Sequence, residues 1–133
     1  MNQTKAWRIV EMKNGSVQSL FHGTDGSRTL PYNAWIKANK KMVRDGTHGK
    51  RYMAGFHFLK NKEETRQFFD KNFRIKENRG VVPCRVRSNI RKKPTGTCWL
   101  ADEIMFIEDE VIKAADEIVF IEDEVIKEGF YYE

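Results

Sequence analysis

Short stretches of alternating or continuous apolar residues, broken by Gly, Asn and Pro, run through the first hundred positions and predict strands more often than helices. Trp7-Arg8-Ile9-Val10-Glu11-Met12 and Val17-Gln18-Ser19-Leu20-Phe21 flank Lys13-Asn14-Gly15-Ser16. Asn-Gly supplies the positive φ angles of a tight turn, so a β-hairpin is predicted. Residues 22–31 are loop by composition, and residues 31–38 (PYNAWIKA) suit a short helix with Pro31 in its first turn and Trp35 as anchor. Asp45 to Lys50 is a second Gly-rich loop. Tyr52 to Leu59 reads as a central strand, and residues 61–69 as a helix capped by Asn61, with Glu63 and Glu64 at the positive end of its dipole. Val81 to Ile90 is a strand with basic alternate positions, Arg91 to Gly96 a turn, and Thr97 to Ala101 the start of another strand. Hairpins and short helices without βαβ alternation predict a single α+β domain over 1–133, with a mainly antiparallel sheet and two short helices.

The end of the chain has a different pattern. Residues 101–114, ADEIMFIEDEVIKA, are followed at once by residues 115–128, ADEIVFIEDEVIKE. The copies differ only at Met105/Val119 and Ala114/Glu128, which marks a recent tandem duplication. Ile-Met-Phe-Ile has strand composition, yet Ile104, Ile107, Val111, Ala114, Ile118, Ile121 and Val125 also follow a heptad seam. Strands are favoured, giving a duplicated C-terminal strand segment, with a continuous acidic helix as the alternative. As strands, the copies either pair through the Glu-Asp-Glu segment, or leave one looped out, or exchange with a second molecule into a homo-oligomer.

Charge sharpens the division. Residues 1–100 carry 22 Lys/Arg against 7 Asp/Glu, whereas residues 101–133 carry 2 Lys against 12 Asp/Glu. A body this basic attracts nucleic acid or an acidic protein surface, unless the acidic tail folds back over it. The candidate binding face is Lys37, Lys40, Lys41, Arg44, Arg85, Arg87 and Arg91, extended by Lys50, Arg51, Lys92 and Lys93. Trp35 and Tyr52, near these in sequence, are available to stack on bases. The chain has no apolar run near the ~20 residues of a membrane helix and begins without the apolar stretch of a secretory signal, so a cytoplasmic protein is expected. Cys84 and Cys98 are expected to be reduced, and neither has the close partners of a zinc site. No catalytic triad, P-loop or metal cluster stands out, and no cofactor is implied by the residues themselves.

Two resemblances bear on function. Leu20-Phe21-His22-Gly23-Thr24, Gly55-Phe56-His57-Phe58 and Asp102-Glu103-Ile104 resemble the three motifs of the ADP-ribosyltransferase fold. That likeness implies NAD as cofactor, with His22 and Gly23 at its ribose, His57 in place of the usual stacking Tyr, and Glu103 or its duplicate Glu117 as the catalytic carboxylate. The second resemblance runs over more of the chain. Trp7, Gly15, Leu20-Phe21, Trp35 to Ala38, Gly55-Phe56-His57, Arg85-Val86-Arg87 and Trp99-Leu100-Ala101 before Ile104 and Ile107 are similar to small proteins encoded by bacteriophages and prophages. This implies a phage accessory protein that acts in the bacterial cytoplasm by binding a host or defence-system protein, rather than an enzyme. A nucleic-acid-binding module is the third expectation.

Overall fold

A computed structural model describes residues 2–19, 29–44, 49–74, 76–115 and 118. The fold is α+β, a small single domain that is mostly antiparallel sheet, with two helices among the described residues. Strand β1 (Thr4–Lys13) turns into β2 (Ser16–Gln18), with Lys13 opposite Ser16. Asn14 and Gly15 carry φ angles of 51° and 78°, the turn geometry that their sequence predicts. Strand β3 (Thr29–Leu30) pairs with β2. Beyond it lie β4 (Ile36–Lys37), β5 (Met42–Arg44), β6 (Arg51–Met53) and β7 (Phe56–Phe58). Helix α1 (Lys62–Asn72) is capped by Asn61, whose Oδ1 accepts from the Glu64 amide at 2.7 Å. Strands β8 (Arg79–Arg87), β9 (Arg91–Lys92), β10 (Trp99–Ala101) and β11 (Glu103–Met105) follow, and α2 (Glu108–Ala114) is the last element among the described residues.

The main sheet runs β3-β2-β1-β8-β11-β4; β7-β10-β9 form a small sheet and β5-β6 a separate ribbon. Period-2 alternation sorts the buried residues. Ala6, Val10 and Met12 of β1 join Val82, Cys84 and Val86 of β8 in the main core, with Ile104, Phe106 and Val111. Ile9 and Val81 point the other way, into a second cluster with Phe68, Phe69 and Phe73 around α1. Pro83 stands opposite Trp7. Trp7 directs its own N–H and C=O to Leu59, each at 2.9 Å, which ties the small sheet to the large one. Strand β11 reaches only Arg85 to Arg87, so the missing N–H of Pro83 interrupts no pairing there.

Four expectations are corrected. Residues 31–38 form no helix: Asn33 has φ of 57°, Tyr32 bridges to Phe106, and β4 pairs with β11. Asn33 instead serves α2, its Oδ1 accepting from the Glu108 amide at 3.1 Å and its N–H donating to the Phe106 carbonyl at 2.7 Å. Tyr52 to Leu59 is no central strand but two short ones in different sheets. They separate at Ala54-Gly55, where a Cβ on Gly55 would sit 2.9 Å from the Ala101 carbonyl oxygen. The central strand is β8. Finally, copy one of the repeat is neither all strand nor a continuous helix. Its apolar half is β11 and its Glu-Asp-Glu half opens α2, where three acids meet the positive end of a helix. That segment is therefore no turn between paired strands. Arg91-Lys92, expected in a turn, pairs with β10; the turn spans the following residues, closed by Lys93 N–H to the Cys98 carbonyl at 3.1 Å.

Copy two lies outside the described residues except for Ala115 and Ile118. Ile118 is buried against Gly80, in the space a side chain there would fill. The residues of copy one that make the core and ion pairs (Asp102, Glu103, Ile104, Phe106, Glu110, Val111) all recur in copy two. Deleting residues 101–114, or instead 115–128, is thus expected to leave a folded chain with the ion pairs kept. The loss is that of the Ile118 contact, about 2 kcal/mol in a urea titration. Unfolding of both deletion variants, seen by circular dichroism, would refute the interchangeability of the copies.

Candidate functional site

The acids of copy one fold back onto the basic strand. Register sets Glu103 opposite Arg87 on β8 and opposite Lys37 on β4. Arg87 donates to Glu103 Oε1 at 3.0 Å, and the Ser88 hydroxyl donates to the other carboxylate oxygen. The guanidinium of Arg87 also stacks 3.9 Å from the centre of the Trp35 ring. Arg85 grips Glu110 with two parallel bonds of 2.9 and 2.7 Å. Arg91 donates to Asp102 Oδ1 at 2.9 Å, and Lys40 lies 3.6 Å from Oδ2. Three arginines of the expected binding face are therefore engaged inside the molecule.

Hydrogen bonds from Arg87 and Ser88 hold the Glu103 carboxyl below its ordinary value, against the opposing effect of burial. A depressed carboxylate stabilises the fold above its unfolded value of about 4.3 and loses that contribution as pH falls through the lower folded value. Glu103→Gln cannot titrate. Its melting temperature is expected to fall less than that of the wild type between pH 5 and pH 3. Parallel acid profiles for the two proteins would contradict this assignment.

The remaining cations gather around the β5–β6 ribbon. Lys37, Lys40 and Lys41 precede it, Arg44 faces Arg51 across it, and Lys50 leads into β6. Alternation puts Met42, Arg44, Arg51 and Met53 on one exposed face and the half-buried Val43 and Tyr52 on the other. Met42 and Met53, directly opposite each other, are 48% and 38% exposed. The ribbon is pinned at its base by Arg91, which donates to the Met53 and Ala54 carbonyls at 2.9 and 3.0 Å and to the Asn89 carbonyl at 2.8 Å. Ala54 N–H closes onto the Lys41 carbonyl at 2.8 Å. One guanidinium thus couples Asp102 of the repeat to the exposed basic ribbon. Tyr52, a candidate for base stacking, is turned inward with Lys93 Nζ 5.9 Å from its ring centre. Lys92 lies 5.7 Å from the Trp99 ring.

Two of the site residues implied by the transferase resemblance, His57 and Glu103, are described. His22, Gly23 and Glu117 lie outside the described residues. His57 sits half-buried on β7 of the small sheet, beside a cavity that Glu103 does not line. Its backbone carbonyl accepts from Arg8 at 2.7 Å. Arg8 escaped sequence reasoning although a signal was present: in β1 it shares the core-facing phase of Ala6, Val10 and Met12. Both cysteines are free, and burial pushes the Cys84 thiol up to about 12, which makes it inert. Among the described residues no cluster of three His, Cys, Asp or Glu is placed to hold a metal ion, and no helix is long and apolar enough to cross a membrane. No protein-family model, curated protein or solved structure matches the chain.

Proposed function

We propose that this chain is a binding protein, whose β5–β6 ribbon docks an acidic surface of a bacterial protein in the manner expected of a phage-encoded accessory protein. The observation that carries the reading is the exposed ribbon face, where a Met pair adjoins an Arg pair. An acidic surface complements the positive charge of the two exposed arginines on docking. Met and Arg are enriched in the centres of protein interfaces, and flexible thioethers adapt to the partner's contours. A basic two-stranded ribbon also suits the major groove of DNA. The inward turn of Tyr52 leaves that reading without a stacking residue on the ribbon, so the protein partner is preferred. The transferase resemblance finds less support, because Glu103 is held by Arg87 and Ser88 away from the His57 cavity.

The test is a quantitative pull-down from bacterial lysate with wild type and the double variant Arg44→Glu/Arg51→Glu. Both side chains are exposed, so the variant should melt as the wild type does. A protein captured by the wild type should be depleted at least tenfold with the variant and should survive nuclease treatment. Equal capture by both proteins would eliminate the ribbon as the docking element. Capture that disappears with nuclease would transfer the assignment to nucleic acid.

A further inference from the structure

The cavity beside His57 is lined by no residue of β5 or β6 and has a chemistry of its own. It encloses about 510 Å³, within the range of roughly 300–1,000 Å³ typical of small-molecule sites. Its apolar wall is made by Ile9 of β1 with Phe68 and Phe73 of the α1 region, so side chains from two separate elements face one space. Its polar wall is cationic, with Arg8, Arg74, Arg79 and Lys93, and no Asp or Glu lines it among the described residues. Of these, Arg8 is half-buried. It rises from a core-facing position of the central β1–β8 pair, donates to the His57 carbonyl at 2.7 Å, and lies 5.7 Å from the centre of the Phe56 ring. Burial lowers its affinity for its proton, yet a guanidinium stays charged at any physiological pH.

A charge retained at the edge of an apolar space is costly unless it meets an opposite charge. The neighbouring carbonyl satisfies one N–H, whereas a guanidinium has five to offer in a fork that matches an anionic oxygen pair. We propose that this cavity is a binding site for a small amphipathic anion, an aromatic body carrying one carboxylate or phosphate, with Ile9 and the rings of Phe68 and Phe73 around the body and Arg8 on the anionic group. Arg74, Arg79 and Lys93 attract such a ligand to the site. Cys98, half-buried and lining the same cavity, provides a reporter inside it, while Cys84 is fully buried and silent.

The probes are 8-anilinonaphthalene-1-sulfonate and the uncharged N-phenyl-1-naphthylamine, followed by fluorescence titration of the native protein. The anion is expected to bind at one site and at least tenfold more tightly than the neutral amine, the factor that one charge-assisted hydrogen bond of about 1.5 kcal/mol supplies. Bound anion should slow alkylation of Cys98 at least fivefold. Arg8→Met should weaken the anion about tenfold and leave the neutral amine unchanged. Should Arg8→Met fail to fold, the two-probe comparison and Cys98 protection in the wild type decide the matter without it. Competition with 1-naphthoate against 1-naphthyl phosphate tells the carboxylate source from the phosphate source. Equal affinity for both probes, binding that leaves Cys98 unprotected, absence of binding, or displacement by neither competitor would each overturn the proposal.

Discussion

Replacing Asp102 by alanine is expected to destabilise the protein by about 3 kcal/mol, read as a lower urea midpoint at unchanged slope. Asp102 is 8% exposed and stands at a junction of four elements. Its N–H donates to the Ser88 carbonyl at 2.9 Å, its carbonyl accepts from Ala38 at 2.8 Å, and its carboxylate holds Arg91 and Lys40. Truncation leaves the Arg91 guanidinium largely buried and without its carboxylate, and that uncompensated charge is the main cost. The effect should also reach the ribbon. Arg91 bonds the Met53 and Ala54 carbonyls only while Asp102 and Asn89 hold its fork in place, so the Ala54 amide should exchange with solvent faster in Asp102→Ala than global unfolding explains. Arg91→Lys should not substitute, since a single ammonium cannot span acceptors on three segments. A loss below about 1 kcal/mol for Asp102→Ala would mean that the junction is ordinary surface electrostatics.

Phe106→Ala is expected to cost about 4 kcal/mol, the largest effect of any single substitution in the repeat. Phe106 is wholly buried, just after β11 and just before α2, and is the point where copy one meets the main core. Its carbonyl receives Asn33 N–H and its backbone bridges to Tyr32, so the ring and the main chain around it fix the strand-to-helix change together. Truncation removes the ring's transfer energy and leaves a cavity that β8 on one side and α2 on the other cannot close. Phe106→Leu keeps most of the volume and should cost about 1.5 kcal/mol. Equal urea midpoints for the Ala and Leu variants would show that the ring is not what packs there.

These two residues lie in a repeat that is visible in the bare sequence, yet their roles were not. The duplication, the Asn14-Gly15 turn, the Asn61 cap and the antiparallel α+β class were all legible, because each depends on residues a few positions apart or on a period of two. The same local reasoning failed at residues 31–38. A helix is consistent with their composition, but Tyr32 and Asn33 are held by Phe106 and Glu108, more than seventy positions away. It failed again in copy one, whose strand and helix phases are equally permitted by a period of 14. There the edge of β8 selected strand for Glu103–Met105, while Asn33 and three acids selected helix from Glu108.

The sequence by itself determined that a basic body carries an acidic duplicated tail, because charge and identity need no geometry to be counted. Only the tertiary structure decided which cations that tail occupies. Arg85, Arg87 and Arg91 meet Glu110, Glu103 and Asp102 of copy one as β11 pairs with β8, whereas Arg44 and Arg51 of the ribbon are exposed among the described residues. Likewise, Arg8 in a core-facing phase is written in the first strand, but the cavity around it is assembled from segments that fold together from across the chain. Ion pairs and cavities depend on distances of a few ångströms between residues far apart in sequence, and such distances exist only once the chain has folded.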